Sequence, residues 1–206
     1  MLRSPGGFFW YEFDFTALPE SRLEALYIPR FAMNAEVYLN GERIAFFGPM
    51  TGEFAERNWN RPQIVNLGPN VVQTGQNTVA IQVRAFPDYL AGLSTVWLGS
   101  DENLREAYRS RYEVQVTSVY LSTAFVLGAG IVLTILIGMG KSRSGLLMLL
   151  ASTCFLWGVR NLAFLTTVPP FEHGTWIQIT QGGLLLFASL IVLLILLYCQ
   201  VPRKRL

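Results

Sequence analysis

From Val114 to Gly140 the chain runs for 27 residues without a formal charge, and Tyr120 is the one ionisable group in that stretch. A helix needs about 20 apolar residues to cross a ~30 Å hydrocarbon core. Two further runs qualify, Gly145 to about Val168 and Thr175 to Val201, the last again without formal charge. The expected spans are about 116–139, 145–167 and 175–200. Charge changes at the same boundary. Residues 1–113 carry ten Arg, no Lys and 13 acids, a net charge of −3, whereas residues 114–206 carry six Lys/Arg and one acid, Glu172, a net charge of +5. The pattern predicts one folded extramembranous domain followed by a helical membrane segment in contact with the lipid bilayer.

Orientation follows from the connections. Lys141 and Arg143 lie after the first span, Arg203, Lys204 and Arg205 after the third, and the second connection holds only Glu172 and His173. Short basic flanks stay cytoplasmic. The C-terminus is therefore expected inside, and the Glu172 connection and the N-terminal domain outside. The basic tail reads as a topology determinant.

Residues 1–113 suffice for one small core. Cys154 and Cys199 both fall inside expected spans, so no disulfide is expected in the outer domain. The soluble part has no basic stripe, which argues against nucleic acid. With one histidine and both cysteines in spans, no zinc-type spacing exists, and no cofactor is expected. Met1–Gly7 lacks the apolar core of a signal peptide, and the chain stops five residues beyond Val201. The expectation is a fragment that lacks an export segment and a cytoplasmic output domain.

The outer domain reads as strands. Phe8–Phe15 alternates around Phe9, Tyr11, Phe13 and Phe15, as a half-buried strand should. Leu23–Ile28 is a second candidate. Ala35–Leu39 and Glu42–Phe46 flank Asn40-Gly41, a hairpin signal because both turn positions need positive φ. Gln63–Leu67, Thr78–Phe86 and Thr95–Leu98 complete the set, with Gly75-Gln76-Asn77 read as a turn and Val79, Ile81 and Val83 on one face. About seven short strands between Gly/Pro/Asn turns indicate an all-β jelly roll or sandwich over residues 1–103. Residues 104–113 read as a helical linker kept in water by Arg105, Glu106, Arg109, Arg111 and Glu113, leading into the membrane segment 114–206.

The run Tyr27–Gly41, with Val37-Tyr38-Leu39-Asn40-Gly41, resembles the galactose-binding-like jelly roll, as does Gly75–Val83. Arg57–Pro62, Gly92-Leu93-Ser94 and Leu104–Tyr108, running into Gln115-Val116-Thr117 before a membrane bundle, resemble the sensory half of bacterial membrane histidine kinases. These are similar to the seven-transmembrane receptors with diverse intracellular signalling modules. The resemblance covers nearly the whole chain and contains no catalytic motif. It implies a sensory role in the bacterial inner membrane, a homodimer in the full receptor, and an output kinase or diguanylate cyclase beyond Leu206.

Several residues are candidates for function. Arg57, Asn58, Trp59, Asn60 and Arg61 combine stacking and hydrogen-bonding groups suited to a sugar or small polar ligand, with Tyr89 and Trp97 as possible additions. The competing and preferred reading is a structural turn with Trp59 against the core. Arg160 and Asn161 fall in the second span. Arg160 stands about 22 Å along the helix from Gly145, where snorkelling to the outer headgroups is expected. The alternative is a polar lock to Glu172, Gln178 or Gln181. Gly128, Gly130, Gly182 and Gly183 are expected to permit close helix packing. His173 reads as a loop residue, the alternatives being a pH-sensing or phosphoacceptor site.

No nucleophile elbow, phosphate loop or kinase signature appears, so the chain is expected not to be an enzyme. Asp14, Glu53, Glu56, Asp88 and Asp101 are scattered acids rather than a defined pair. The leading expectation is the input module of a bacterial signal-transduction receptor binding an extracytoplasmic small molecule or carbohydrate. The rivals are a membrane-anchored carbohydrate-binding or protein-interaction module without output, and a transporter fragment, for which the intramembrane polar residues are too few.

Overall fold

A computed structural model of the chain describes residues 7–52, 56–68, 71–86, 92–140 and 145–200, with the side chains of His173 and Gln200 outside the description. Glu53, Asp88, Tyr89, the basic residues Lys141 and Arg143, and the tail Arg203, Lys204 and Arg205 lie outside the described residues. So do residues 1–6. The chain divides into two compact units, residues 1–116 with 167–169, and residues 117–166 with 170–206.

The first unit is built on two antiparallel sheets. One has the order β1-β6-β3-β4 and the other β5-β2-β7. Their strands are β1 (Gly7–Ala17), β2 (Ala25–Ile28), β3 (Asn34–Leu39), β4 (Glu42–Phe47), β5 (Gln63–Asn66), β6 (Gly75–Ala85) and β7 (Trp97–Gly99). Leu26 and Ile28 from one sheet share a single core with Val37, Leu39, Val79, Ile81 and Val83 from the other. The unit is therefore a two-sheet β-sandwich. The alternation along β6 places Val79, Ile81 and Val83 in the core and Thr78, Gln82 and Arg84 on the other face, as a period of two requires.

The hairpin at Asn40-Gly41 has φ of 52° and 84°, the two left-handed positions that the dipeptide supplies most readily. The same Asn40 ties the turn to β6: its Oδ1 accepts from Thr78 N–H at 3.0 Å and its Nδ2 donates to Asn77 Oδ1 at 2.9 Å. Here the structure corrects the sequence reading. Gly75-Gln76-Asn77 is not a turn but the first part of β6, paired with Ala17, Thr16 and Phe15 of β1. Asn77 is buried, and its amide also serves the backbone at Gln73 and Gly75. Phe9 is a second correction. It lies 44% exposed near the start of β1, an edge strand, rather than half-buried with Tyr11, Phe13 and Phe15.

β2 is buried along its whole length. Alternation turns only half of a strand toward the sandwich core, so something must cover its outer face. That cover is helix α1 (Asp101–Tyr112), which packs on β2, β5 and β7. Tyr108 meets Tyr27 edge-on at 6.5 Å between ring centroids, and Arg105 reaches Asn66 Oδ1 at 3.1 Å. The segment expected as a solvated linker from residue 104 is thus a helix that starts at Asp101 and covers the three-stranded sheet. Its opposite face keeps Glu102, Glu106 and Arg109 exposed. A π-helical segment, Glu113–Thr117, follows, and helix continues to Gly138.

The second unit holds α2 (Ser118–Gly138), α3 (Gly145–Leu165) and α4 (His173–Gln200). Among the described residues, three helical stretches, beginning at Asp101, Gly145 and Gly174, are long and apolar enough to cross a membrane. This is the pattern of a multi-pass membrane protein. The helical bounds differ from the expected spans by about two residues at most sites, the exception being the unbroken helix from Asp101. Helix α3 packs on α2 and on α4.

The close contacts fall at glycines. A Cβ at Gly130 would lie 3.0 Å from Cys154 Cβ, and one at Gly158 would lie 2.5 Å from Leu127 Cδ2. A Cβ at Gly183 would lie 3.4 Å from Val159 Cγ1, an ordinary contact. Gly128 and Gly182 face open space, so of the four glycines expected at helix contacts only Gly130 and Gly183 serve there, and Gly158 joins them.

Candidate functional site

The Arg57–Arg61 cluster lies in the loop before β5. Arg61 N–H donates to Asn58 O at 2.9 Å and closes a turn. Asn58 and Asn60 are 6% and 7% exposed, while Arg57, Trp59 and Arg61 are half-buried. The Asn60 side chain donates to Gln115 O at 2.9 Å. That carbonyl belongs to the π-helical segment, where i→i+5 bonding disturbs the regular pairing of carbonyls with N–H groups. Arg57 N–H donates to Thr167 O at 2.7 Å within the same unit, which includes residues 167–169. The Asn60 side chain and the backbone N–H groups of Arg57 and Arg61 are thus used inside the protein. Asn60 ties this loop to the middle of the π segment, and the two asparagines present little surface to a ligand.

Trp97 does not join that cluster. It is 55% exposed on β7 and lines a separate groove of about 830 Å³ with Tyr27, Arg30, Ala107, Arg111 and Gln115. Alternation along β2 sends Tyr27 outward beneath α1, and a helical spacing of three to four residues brings Leu104, Ala107, Arg111 and Val114 to one side of the helix. Burial raises the Tyr27 hydroxyl above its ordinary pKa, and the positive charge of Arg111 opposes that rise. Tyr27 Oη and Gln115 Oε1 are buried without hydrogen-bond partners among the described residues. Sequence reasoning missed this groove. Its signal was the four-residue run Ala25–Ile28, fully buried and therefore covered on both faces.

Within the helices, the polar link that forms is not the expected one. Asn161 is buried and its Nδ2 donates to Thr123 Oγ1 of α2 at 2.8 Å. Thr123 Oγ1 donates in turn to Val119 O at 2.7 Å, so the pair is satisfied in series. Arg160, expected either to snorkel or to lock to Glu172, Gln178 or Gln181, lays its guanidinium over the Phe164 ring at 4.3 Å. Its Nε and Nη1 are buried without hydrogen-bond partners among the described residues. Glu172 is exposed.

Asp14 accepts from Thr78 Oγ1 at 2.5 Å across β1 and β6, and Asp101 pairs with Arg105 at 2.6 Å one helical turn on. Among the described residues, no group of three His, Cys, Asp or Glu side chains is placed to hold a metal ion. His173 opens α4.

No protein-family model and no curated protein matches the chain. Among solved structures, it is similar to a β-glucuronidase of Ruminococcus gnavus, with 23% identity over 38% of this chain and a TM-score of 0.31. A β-glucuronidase from an uncultured Clostridium sp. gives 20% identity over 37% of this chain and a TM-score of 0.30. A β-D-mannosidase of Dictyoglomus thermophilum gives 16% over 37% and 0.28. The matched regions span 12%, 12% and 8% of those chains. Similarity at this level assigns neither fold nor activity.

Proposed function

We propose that the chain is the input module of a bacterial transmembrane signal-transduction receptor. In this reading the sandwich is a galactose-binding-like jelly roll on the periplasmic side of the inner membrane, the C-terminus is cytoplasmic, and the full receptor is a homodimer. A kinase, or alternatively a diguanylate cyclase, reads the signal. The observation that carries the proposal is the helix that begins at Asp101 as part of the sandwich unit and continues to Gly138 through the π segment. A change in how β2 and β7 hold α1 is covalently continuous with the apolar helix α2. A ligand shifts such a receptor only by binding its two states with different affinity.

The test uses helical phase. The chain is fused after Leu206 to a dimeric autophosphorylating kinase module, and one to four alanines are inserted after Thr117. Each insertion turns the downstream helix by about 100°. Kinase output should vary with the number inserted and return toward the parent level near four. An output indifferent to all four insertions, at equal membrane abundance, favours the rival reading of a membrane-anchored binding module without signalling. Orientation is tested separately with a periplasm-dependent reporter and an export signal placed before residue 1. Fusion after Glu172 should be active, and fusion after Arg143 should be silent.

A further inference from the structure

The groove formed by β2, β7 and α1 contains a set of side chains that the framework does not use. We propose that it binds a small anionic ring compound, its carboxylate or phosphate held by Arg30 and Arg111 and its ring lying on Trp97. The proposal rests on the receptor reading only for the consequence of binding, not for binding itself.

Four observations support it. The groove is lined by two arginines and no carboxylate, which sets the sign of its charge. Both arginines are exposed, and among the described residues neither takes part in an ion pair. Arg30 is also fixed at its backbone, because its N–H donates to Ser94 Oγ at 2.9 Å and its carbonyl accepts from Ser94 N–H at 2.9 Å. Guanidinium groups pair with carboxylate or phosphate in a planar, bidentate way.

Trp97 supplies a large exposed ring on a strand, a platform for stacking and for burial of an apolar face. Tyr27 Oη and Gln115 Oε1 are buried at the groove without hydrogen-bond partners among the described residues. Unsatisfied buried polar atoms are destabilising, and ligand hydroxyl or amide groups would remove that cost. Finally, about 830 Å³ falls within the roughly 300–1,000 Å³ of small-molecule sites.

The same anion chemistry occurs in a soluble metabolite and in an anionic phospholipid headgroup. We assign a soluble ligand, since a stacking ring and two buried hydrogen-bonding atoms suit a ring compound better than a glycerophosphate.

The test is calorimetric titration of phenyl phosphate into the full chain in phosphatidylcholine nanodiscs. Saturable binding is expected. Arg30→Gln and Arg111→Gln should each weaken it about tenfold, the loss of one charge-assisted hydrogen bond. Trp97→Ala should weaken it as well, Trp97→Phe should retain most of it, and Arg43→Gln on β4 should leave it unchanged. Circular dichroism of each variant separates loss of binding from loss of fold.

Absence of saturable binding below about 10 mM, or binding that both Arg→Gln variants retain in full, overturns the site. Repeating the titration in phosphatidylglycerol discs at ~0.15 M salt, where surface charge is screened within about 8 Å, separates the two sources. Unchanged binding supports the soluble ligand. Loss of the Arg111-dependent part shows that lipid phosphate occupies the groove and overturns that assignment. Calorimetry reads binding without an output module, so a flat isotherm leaves the alanine-insertion result standing, and the reverse also holds.

Discussion

The sandwich and the helical unit use apolar residues in opposite ways. In the sandwich, Val37, Val79 and Ile81 are fully buried, and the outward positions of β6 include the polar Gln76, Thr78, Gln82 and Arg84. In the helices, Phe125 is 78% exposed and Leu185 70%, while the buried positions include Thr123, Gly130, Thr153, Gly158 and Asn161. Water explains the first arrangement, because each apolar Å² removed from it is worth about 25 cal/mol. Lipid explains the second. Tails as apolar as leucine give no reason to bury leucine, so helices associate through small residues and interhelical hydrogen bonds. Burial is therefore the sign of a core in one region and of a helix contact in the other.

The largest expected effect lies in the sandwich. Ile81→Ala should destabilise that unit by about 3–4 kcal/mol, since both transfer energy and a cavity are lost. Hydrogen exchange of the full chain in micelles should show strand amides opening faster while α3 amides keep their protection. Equal acceleration in α3 would mean that the two regions unfold as one, and the contrast between them would fail.

Gly48→Ala should follow at about 2–3 kcal/mol. The residue sits at φ of +81°, and a Cβ there would lie 2.6 Å from Asn34 Oδ1 and 2.8 Å from its Cγ. Asn34 is buried and held by its Nδ2 donating to Pro49 O at 2.5 Å, so it has little freedom to retreat. In an Asn34→Ala background the added cost of Gly48→Ala should fall to the backbone term, about 1–2 kcal/mol. An undiminished cost would place the whole penalty in the backbone.

In the helical unit the corresponding small residue is Gly130. Gly130→Val should cost about 1–3 kcal/mol by forcing α2 away from Cys154 on α3. Loss of helicity during titration with a denaturing detergent reports it. Gly128→Val, one residue type and two positions away, faces open space and should leave the transition where it is. A matching shift at Gly128 would show that valine acts through helix propensity rather than packing.

The smallest effect belongs to the polar link. Asn161→Leu removes the hydrogen bond to Thr123 and should cost about 0.6 kcal/mol, with roughly 1.7 as the upper end for such bonds in membranes. The same detergent titration measures it. A loss of several kcal/mol would assign this pair a share of stability closer to that of a sandwich core residue, and would blur the contrast between the regions.

Much of the architecture was legible along the chain. Alternation marked Phe8–Phe15 and the Val79, Ile81 and Val83 face, short runs between turn residues marked the other strands of the described sandwich, Asn40-Gly41 marked its hairpin, and apolar length marked the three apolar helices. Each of these depends on local chemistry: the pleat, the left-handed dihedral, the thickness of a bilayer. What escaped was every feature that depends on a partner distant in sequence. Gly75-Gln76-Asn77 has turn composition, yet β1 supplies a neighbour along its full length and draws it into the sheet. The charges of α1 suggested a solvated linker, yet the outer face of β2 needed a cover.

The candidate sites followed the same rule. Arg57–Arg61 has the composition of a binding surface, but the carbonyl of Gln115, 55 residues from Asn60, claims one of its asparagines. Arg160 carries the charge that draws attention in a span, whereas the bond between helices is made by its neighbour Asn161 with Thr123. The amino-acid sequence by itself determined which segments become strands, which become apolar helices and where they change over, because periodicity and hydropathy act on each segment alone. Tertiary structure alone decided which polar groups are satisfied within the protein and which face a groove, because a hydrogen bond is met only by the atom that packing brings within about 3 Å of it.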